Sequence, residues 1–143
     1  LSLAGPWLSE RYTDQALDLW SEEPAPAFDK LDTAASLNPL SPGPDVAAGS
    51  IALRLDRPAE AEERFRAALE REPGDSYSHL ELGSVLVNDG RRAEGLAHLR
   101  RARELDPRDQ IIRRALRRAR RGGEIDIAAM NEEIAERYRE LGD

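Results

Sequence analysis

Three prolines set the strongest constraint on this chain. Pro39, Pro73 and Pro107 each lie 34 residues after the last. Sliding the sequence by 34 also superposes Leu31, Phe65 and Leu99, then Ala34, Ala68 and Ala102. Gly49 falls on Gly83, and Ala27 falls on Ala61, with Gly95 in the third copy. A fixed period in this range marks a stacked array of supersecondary units. Proline lacks an N–H and clashes with the preceding turn, so each one closes a unit and starts the next. One helical hairpin cannot bury its apolar face alone, so neighbours must stack.

Within each period the apolar spacing is helical. A first helix is expected over about Ser9–Trp20, with Tyr12, Ala16, Leu19 and Trp20 on one face. Ser21 is placed to cap the second, and Pro24 and Pro26 fit its first turn. Later helices are expected to open near Pro44 or Asp45, at Pro58, at the cap Asp75, after Asp89 and Gly90, near Arg108, and at the cap Asp126. Gly122 and Gly123 stop the seventh helix.

Leu82, Gly83 and Leu86, followed by Ala61, Phe65, Ala68 and Pro73 in the second-helix pattern, resemble the tetratricopeptide repeat family. The resemblance implies an all-α solenoid of antiparallel helix pairs, about eight helices in a right-handed superhelix. It reads as a single domain over 1–143: a degenerate hairpin at 8–41, repeats at 42–75 and 76–109, and a degenerate capping hairpin at 110–143. The second helix of that last pair is expected over the apolar edge left by repeat two. Asp45 and His79 stand where an aromatic or leucine is usual, and Gly95 replaces an alanine.

That family binds an extended peptide or a partner helix along the face made by the first helix of each pair. The matching positions here are Ser50, Arg54, Tyr77, Ser84, Asn88, Arg114, Arg118 and Arg121. The chaperone-tail subset uses a cationic clamp for a C-terminal carboxylate. Val46, Ser50 and Ala115 do not match that clamp, so chaperone-tail binding is not expected. A narrower resemblance covers about the first third of the chain, from Pro6 through Ser41. It is similar to soluble repeat tails of bacterial membrane proteins of O-antigen ligase or polymerase type. It implies an extracytoplasmic accessory domain with no ligand of its own. Leu1 to Trp7 reads either as the end of a membrane span or as a terminus whose Trp7 packs on the first helix.

Composition narrows the chemistry. There is no cysteine, which excludes disulfides, thiolate metal sites and cysteine catalysis. Lys30 is the single lysine among 21 basic residues, which we read as GC-rich bacterial coding. His79 and His98 lack the spacing of a zinc site, and no glycine-rich phosphate loop or nucleophile elbow is present. Glu62, Glu63, Glu132 and Glu133 fall on polar helix faces. No enzyme and no cofactor are expected. The net charge of -7 argues against general nucleic-acid binding.

One charge cluster stands out. The segment 108–121 carries seven arginines against Asp109 alone, a local +6. Three readings stay open: a solvated face paired with acidic neighbours, a site for an acidic peptide or anionic polymer, and a contact with anionic lipid. The partner expected overall is a protein or peptide, with the chain a monomer or weak homodimer. The compartment, cytoplasmic or extracytoplasmic, is left open.

Overall fold

The computed structural model describes residues 4–142. Within them lie eight helices and no strand: α1 Ala4–Leu19, α2 Pro24–Leu37, α3 Gly43–Arg54, α4 Pro58–Arg71, α5 Ser76–Asn88, α6 Arg92–Leu105, α7 Gln110–Arg120 and α8 Ile127–Gly142. The chain divides into two compact units, Leu1–Gly74 with α1–α4 and Asp75–Asp143 with α5–α8.

In the first unit, α1 pairs with α2 and α3 with α4. The helix α1 begins a turn earlier than expected, because Pro6 lies in its first turn, where no intrahelical N–H is needed. Trp7 therefore sits on α1 itself and stays 57% exposed, beneath the guanidinium of Arg11. Leu1–Leu3 lie outside the described residues. Ser21 does not cap α2; Glu23 holds the N-cap position without a side-chain bond, and Pro24 fills the first turn. Phe65 is fully buried against α3, where a Cβ on Gly49 would stand 2.7 Å from its ring. The glycine at the matched repeat position is thus what lets the bulky ring in. Asp45 is buried, and Arg71 reaches it with Nε at 2.7 Å while Nη1 donates to the Pro39 carbonyl at 2.9 Å. One arginine ties the end of α4 to the start of α3 and to the loop before it.

The second unit repeats the device. A Cβ on Gly83 would meet Leu99 at 2.8 Å and the Gly95 carbonyl oxygen at 2.9 Å. Gly95 replaces alanine because the α5 and α6 backbones touch there. His79 occupies the position of Asp45 one repeat on, and its Nδ1 lies 3.0 Å from Nδ1 of His98 on α6. One ring donates to the other. Leu80, Val87, Leu99, Ile111, Ile112, Leu116, Ile125 and Met130 close a common core.

The ends of α3, α5 and α7 share one geometry. A residue of positive φ follows each: Asp56 at 56°, Gly90 at 87° and Gly122 at 83°. The next amide then bonds back five residues, Arg57 to Ala52, Arg91 to Leu86 and Gly123 to Arg118. This is a Schellman ending in all three. After α3 and α5 the next helix starts at once, at Pro58 and Arg92. After α7 it does not. Glu124, Ile125 and Asp126 stay non-helical, and the Asp126 carboxylate accepts from the Ala129 amide to open α8.

Candidate functional site

The predicted groove residues fall in both units. Ser50 and Arg54 lie on α3 in the first, and the Arg54 guanidinium stacks over Trp20 at 5.7 Å. The other six lie in the second, and the detour before α8 decides what they do.

The helix α8 runs back along the trough between α5 and α7. Asn88 clamps the chain first. Its Nδ2 donates to the Ile125 carbonyl and its Oδ1 accepts from the Ile125 amide, both at 2.8 Å. Arg118 donates from Nε to the Glu124 carbonyl. Ser84 is buried, donates to the Leu80 carbonyl at 2.8 Å, and lies 4.0 Å from the sulfur of Met130. Tyr77 donates to the Asn131 side chain at 3.3 Å. Arg114 pairs with Glu133. Successive contacts move backward along α5 and α7 as they move forward along α8, so α8 is antiparallel to both. Arg121 is exposed at the C-cap of α7. Five of the predicted residues therefore meet one segment of their own chain.

Electrostatics in this trough centre on Glu81, which is 0% exposed. Its Oε2 accepts from Asn131 at 3.2 Å. Burial pushes its carboxyl up to about 7, against hydrogen bonds from Asn131 and Tyr77 that favour the charged form. Asp109 behaves oppositely. Burial would raise it, but the Arg137 guanidinium at 2.7 Å and the amides of Ile112 and Ile111 outweigh this and hold it below the usual range. Asp109 thus caps α7 and anchors α8 through one carboxylate. Arg92 closes the other end of α7, donating to the Ala119 carbonyl at 2.7 Å and to the Gly122 carbonyl at 3.1 Å.

A pocket of about 200 Å³, open to solvent, lies between α7 and α8, walled by Ile111, Arg114, Ala115 and Arg118 on one side and by Ile125, Asp126, Ala129, Met130 and Glu133 on the other. Among the described residues, no group of three or more His, Cys, Asp or Glu is arranged to hold a metal. No helix there is long and apolar enough to cross a membrane.

Residues 52–119 match the family model of the tetratricopeptide repeat. That stretch matches the repeat, and the all-α fold is tetratricopeptide-like. The solved structures agree on the fold. The tetratricopeptide domain of Arabidopsis OM64 aligns at 19% identity and a TM-score of 0.70, over 82% of this chain and 98% of that one. The first tetratricopeptide domain of Spaghetti (RPAP3), bound to the HSP90 peptide SRMEEVD, aligns at 16% identity and 0.72, over 81% and 93%. The Yersinia enterocolitica type III secretion chaperone SycD, in complex with a peptide of the translocator YopD, aligns at 14% identity and 0.64, over 87% and 92%. No curated protein matches the chain in sequence, so the likeness of its first third to O-antigen ligase tails gains no support.

Tyr77, Ser84, Asn88, Arg114 and Arg118, expected along a groove, meet α8 or the residues just before it instead, and the sequence reading did not single out Glu81, Asn131, Arg137 or Arg92. Two signals were present. In the 34-residue phase, Glu133 stands where Phe65 and Leu99 stand, and Glu136 where Ala68 and Ala102 stand. Acidic residues at those positions disfavour the packing of a second helix of a pair.

Proposed function

We propose that the chain is a non-catalytic scaffold that binds a protein or peptide partner, with the α5–α7 face of its second unit as the binding surface. One observation carries this reading: that face already holds a stretch of polypeptide. Asn88 takes the main chain of Ile125 by both its amide and its carbonyl, Met130 enters the apolar seat, and Arg114 pairs with a carboxylate. These are the elements of helix-in-groove recognition: apolar anchors, a few directed polar contacts and complementary charge. Two solved proteins of the same fold carry peptides, which supports the reading.

The partner is acidic on the side that meets α7. Arg113, Arg117, Arg120 and Arg121 are exposed along that helix, beside Arg114 and Arg118. Helix α7 has no aromatic side chain on which a base would stack, which favours an acidic polypeptide over single-stranded nucleic acid. The test is a displayed peptide library selected on the folded chain. Selected peptides should be rich in Asp and Glu, and Asn88→Ala combined with Arg118→Glu should weaken them by about tenfold or more. Failure to select any peptide, or selected peptides indifferent to both substitutions, would remove this face as the binding surface.

A further inference from the structure

The segment that fills the trough is poorly matched to it. Of the sixteen residues of α8, only Met130 is buried. Its last turn carries Tyr138 and Leu141 at 71% and 77% exposed. The seat beneath it is apolar and complete: Ile111, Ile112, Ala115 and Leu116 are all buried. Beside seat and helix lies an open pocket of about 200 Å³, to which α8 brings Met130, Glu133 and the small, exposed Ala129. That volume accommodates a large aliphatic or aromatic side chain. A bulkier occupant would bury apolar surface that the pocket leaves open to water.

Besides Met130 and the partly buried Ile127 and Ile134, which pack on the core, the contacts that hold α8 are polar. They are the Asn88 clamp, Asn131 with Glu81 and Tyr77, Glu133 with Arg114, and Arg137 with Asp109. The Glu133–Arg114 pair is exposed on both sides and contributes little, whereas the largely buried Asp109 makes its pair with Arg137 the firmer anchor.

We propose that α8 is a removable occupant of the α5–α7 trough, and that the trough takes in its place a partner helix of the same pattern with a large apolar residue where α8 has Ala129. This rests on the peptide-binding reading above and adds the identity of the competing segment and the chemistry of its replacement. The partner has an apolar residue at the position of Ile125 and large apolar residues at those of Ala129 and Met130. It has a hydrogen-bond donor at that of Asn131, facing the Glu81 carboxyl, and an acid at that of Glu133, facing Arg114. The tether gives α8 a high effective concentration, so an incoming peptide must outdo it. Apparent affinity is reduced by the fraction of chains in which α8 is docked.

The experiment uses the full chain and a fluorescein-labelled synthetic peptide of residues 122–142 carrying the change Ala129→Leu. Its binding is read by anisotropy against three chains: wild type, Met130→Asp and Glu133→Arg. Each substitution loosens α8 in cis, the first by placing a charge in the apolar seat and the second by opposing Arg114. The second changes only a surface residue and leaves the core intact. Because the chain has no cysteine, Arg100→Cys and Tyr138→Cys on α6 and α8 accept spin labels cleanly and report whether α8 has moved.

Both loosened chains should bind the peptide about tenfold or more tightly than wild type, with the label distance lengthened before peptide is added. The same Ala129→Leu change made within the chain should have the reverse effect and weaken the peptide. Adding Arg114→Glu to the Met130→Asp chain should abolish binding. Equal affinity for wild-type and loosened chains would overturn the proposal. So would no binding to a chain whose labels show α8 detached. Wild-type chains sedimenting as a dimer with a long label distance would assign α8 to a second copy, which overturns occupancy in cis. If library-selected peptides bind wild type and loosened chains alike, the peptide-binding reading stands and only the exchange of α8 falls.

Discussion

Glu81 is the residue whose behaviour follows most directly from its surroundings. A carboxyl with no solvent exposure has only Asn131 and Tyr77 to replace water, and both are neutral. Its proton is therefore held more tightly in the folded chain than in the unfolded one. Stability should then fall as pH rises from about 4.5 to about 7 and level off above, because the folded state binds more protons across that window. The size is on the order of 3 kcal/mol at most. Glu81→Gln should remove this slope and leave the chain more stable than wild type at pH 8, as urea melts across the window will show. An unchanged slope would mean that another group sets it. Asp45 shows the alternative arrangement. Burial also raises its carboxyl, but Arg71 stands against it and offsets part of the cost. Neither environment was legible in the sequence. Both residues sit on helices whose apolar neighbours are plain, and nothing in the spacing says which buried acid meets an arginine and which an amide.

At the scale of the element, the glycines explain how closely helices pair. Gly83→Ala puts a methyl group 2.8 Å from Leu99 and 2.9 Å from the Gly95 carbonyl, the second a backbone atom that cannot rotate away. The substitution should cost about 1–3 kcal/mol by overpacking, despite the better helix propensity of alanine, as read from denaturant midpoints. The caps were legible for the same reason that they work. Asp75 and Asp126 each stand before an apolar run and accept from amides of the first turn, while Asp109 caps α7 in the same way one residue after the expected start near Arg108. Ser21 had the right chemistry but lies two residues before the N-cap position, which Glu23 occupies ahead of Pro24. Helix α8 shows what periodicity leaves unsaid. Its own apolar spacing is sound, yet its partner face is set by three non-helical residues that precede it. With one buried side chain, α8 should also be the first helix of its unit to open. Its amides should exchange with deuterium well before those of α5, which is enclosed, and equal protection would contradict the loose docking described above.

For the whole molecule, the period of 34 is what made the fold legible. It fixes where helices begin, which residues face inward and where small ones are required, and the all-α tetratricopeptide architecture follows. Charge is distributed against the average. A chain of net -7 concentrates +6 in the segment 108–121. Affinity for an acidic peptide should therefore weaken as salt rises, by about threefold to tenfold between about 0.05 and about 0.5 M, and a salt-independent complex would point away from the arginines. The Asn88 clamp has a wider consequence. An amide that grips the peptide link is blind to whatever hangs from it. Discrimination must then come from bulk at one position and sign at another, and dissimilar-looking polypeptides that satisfy those two demands should prove interchangeable guests.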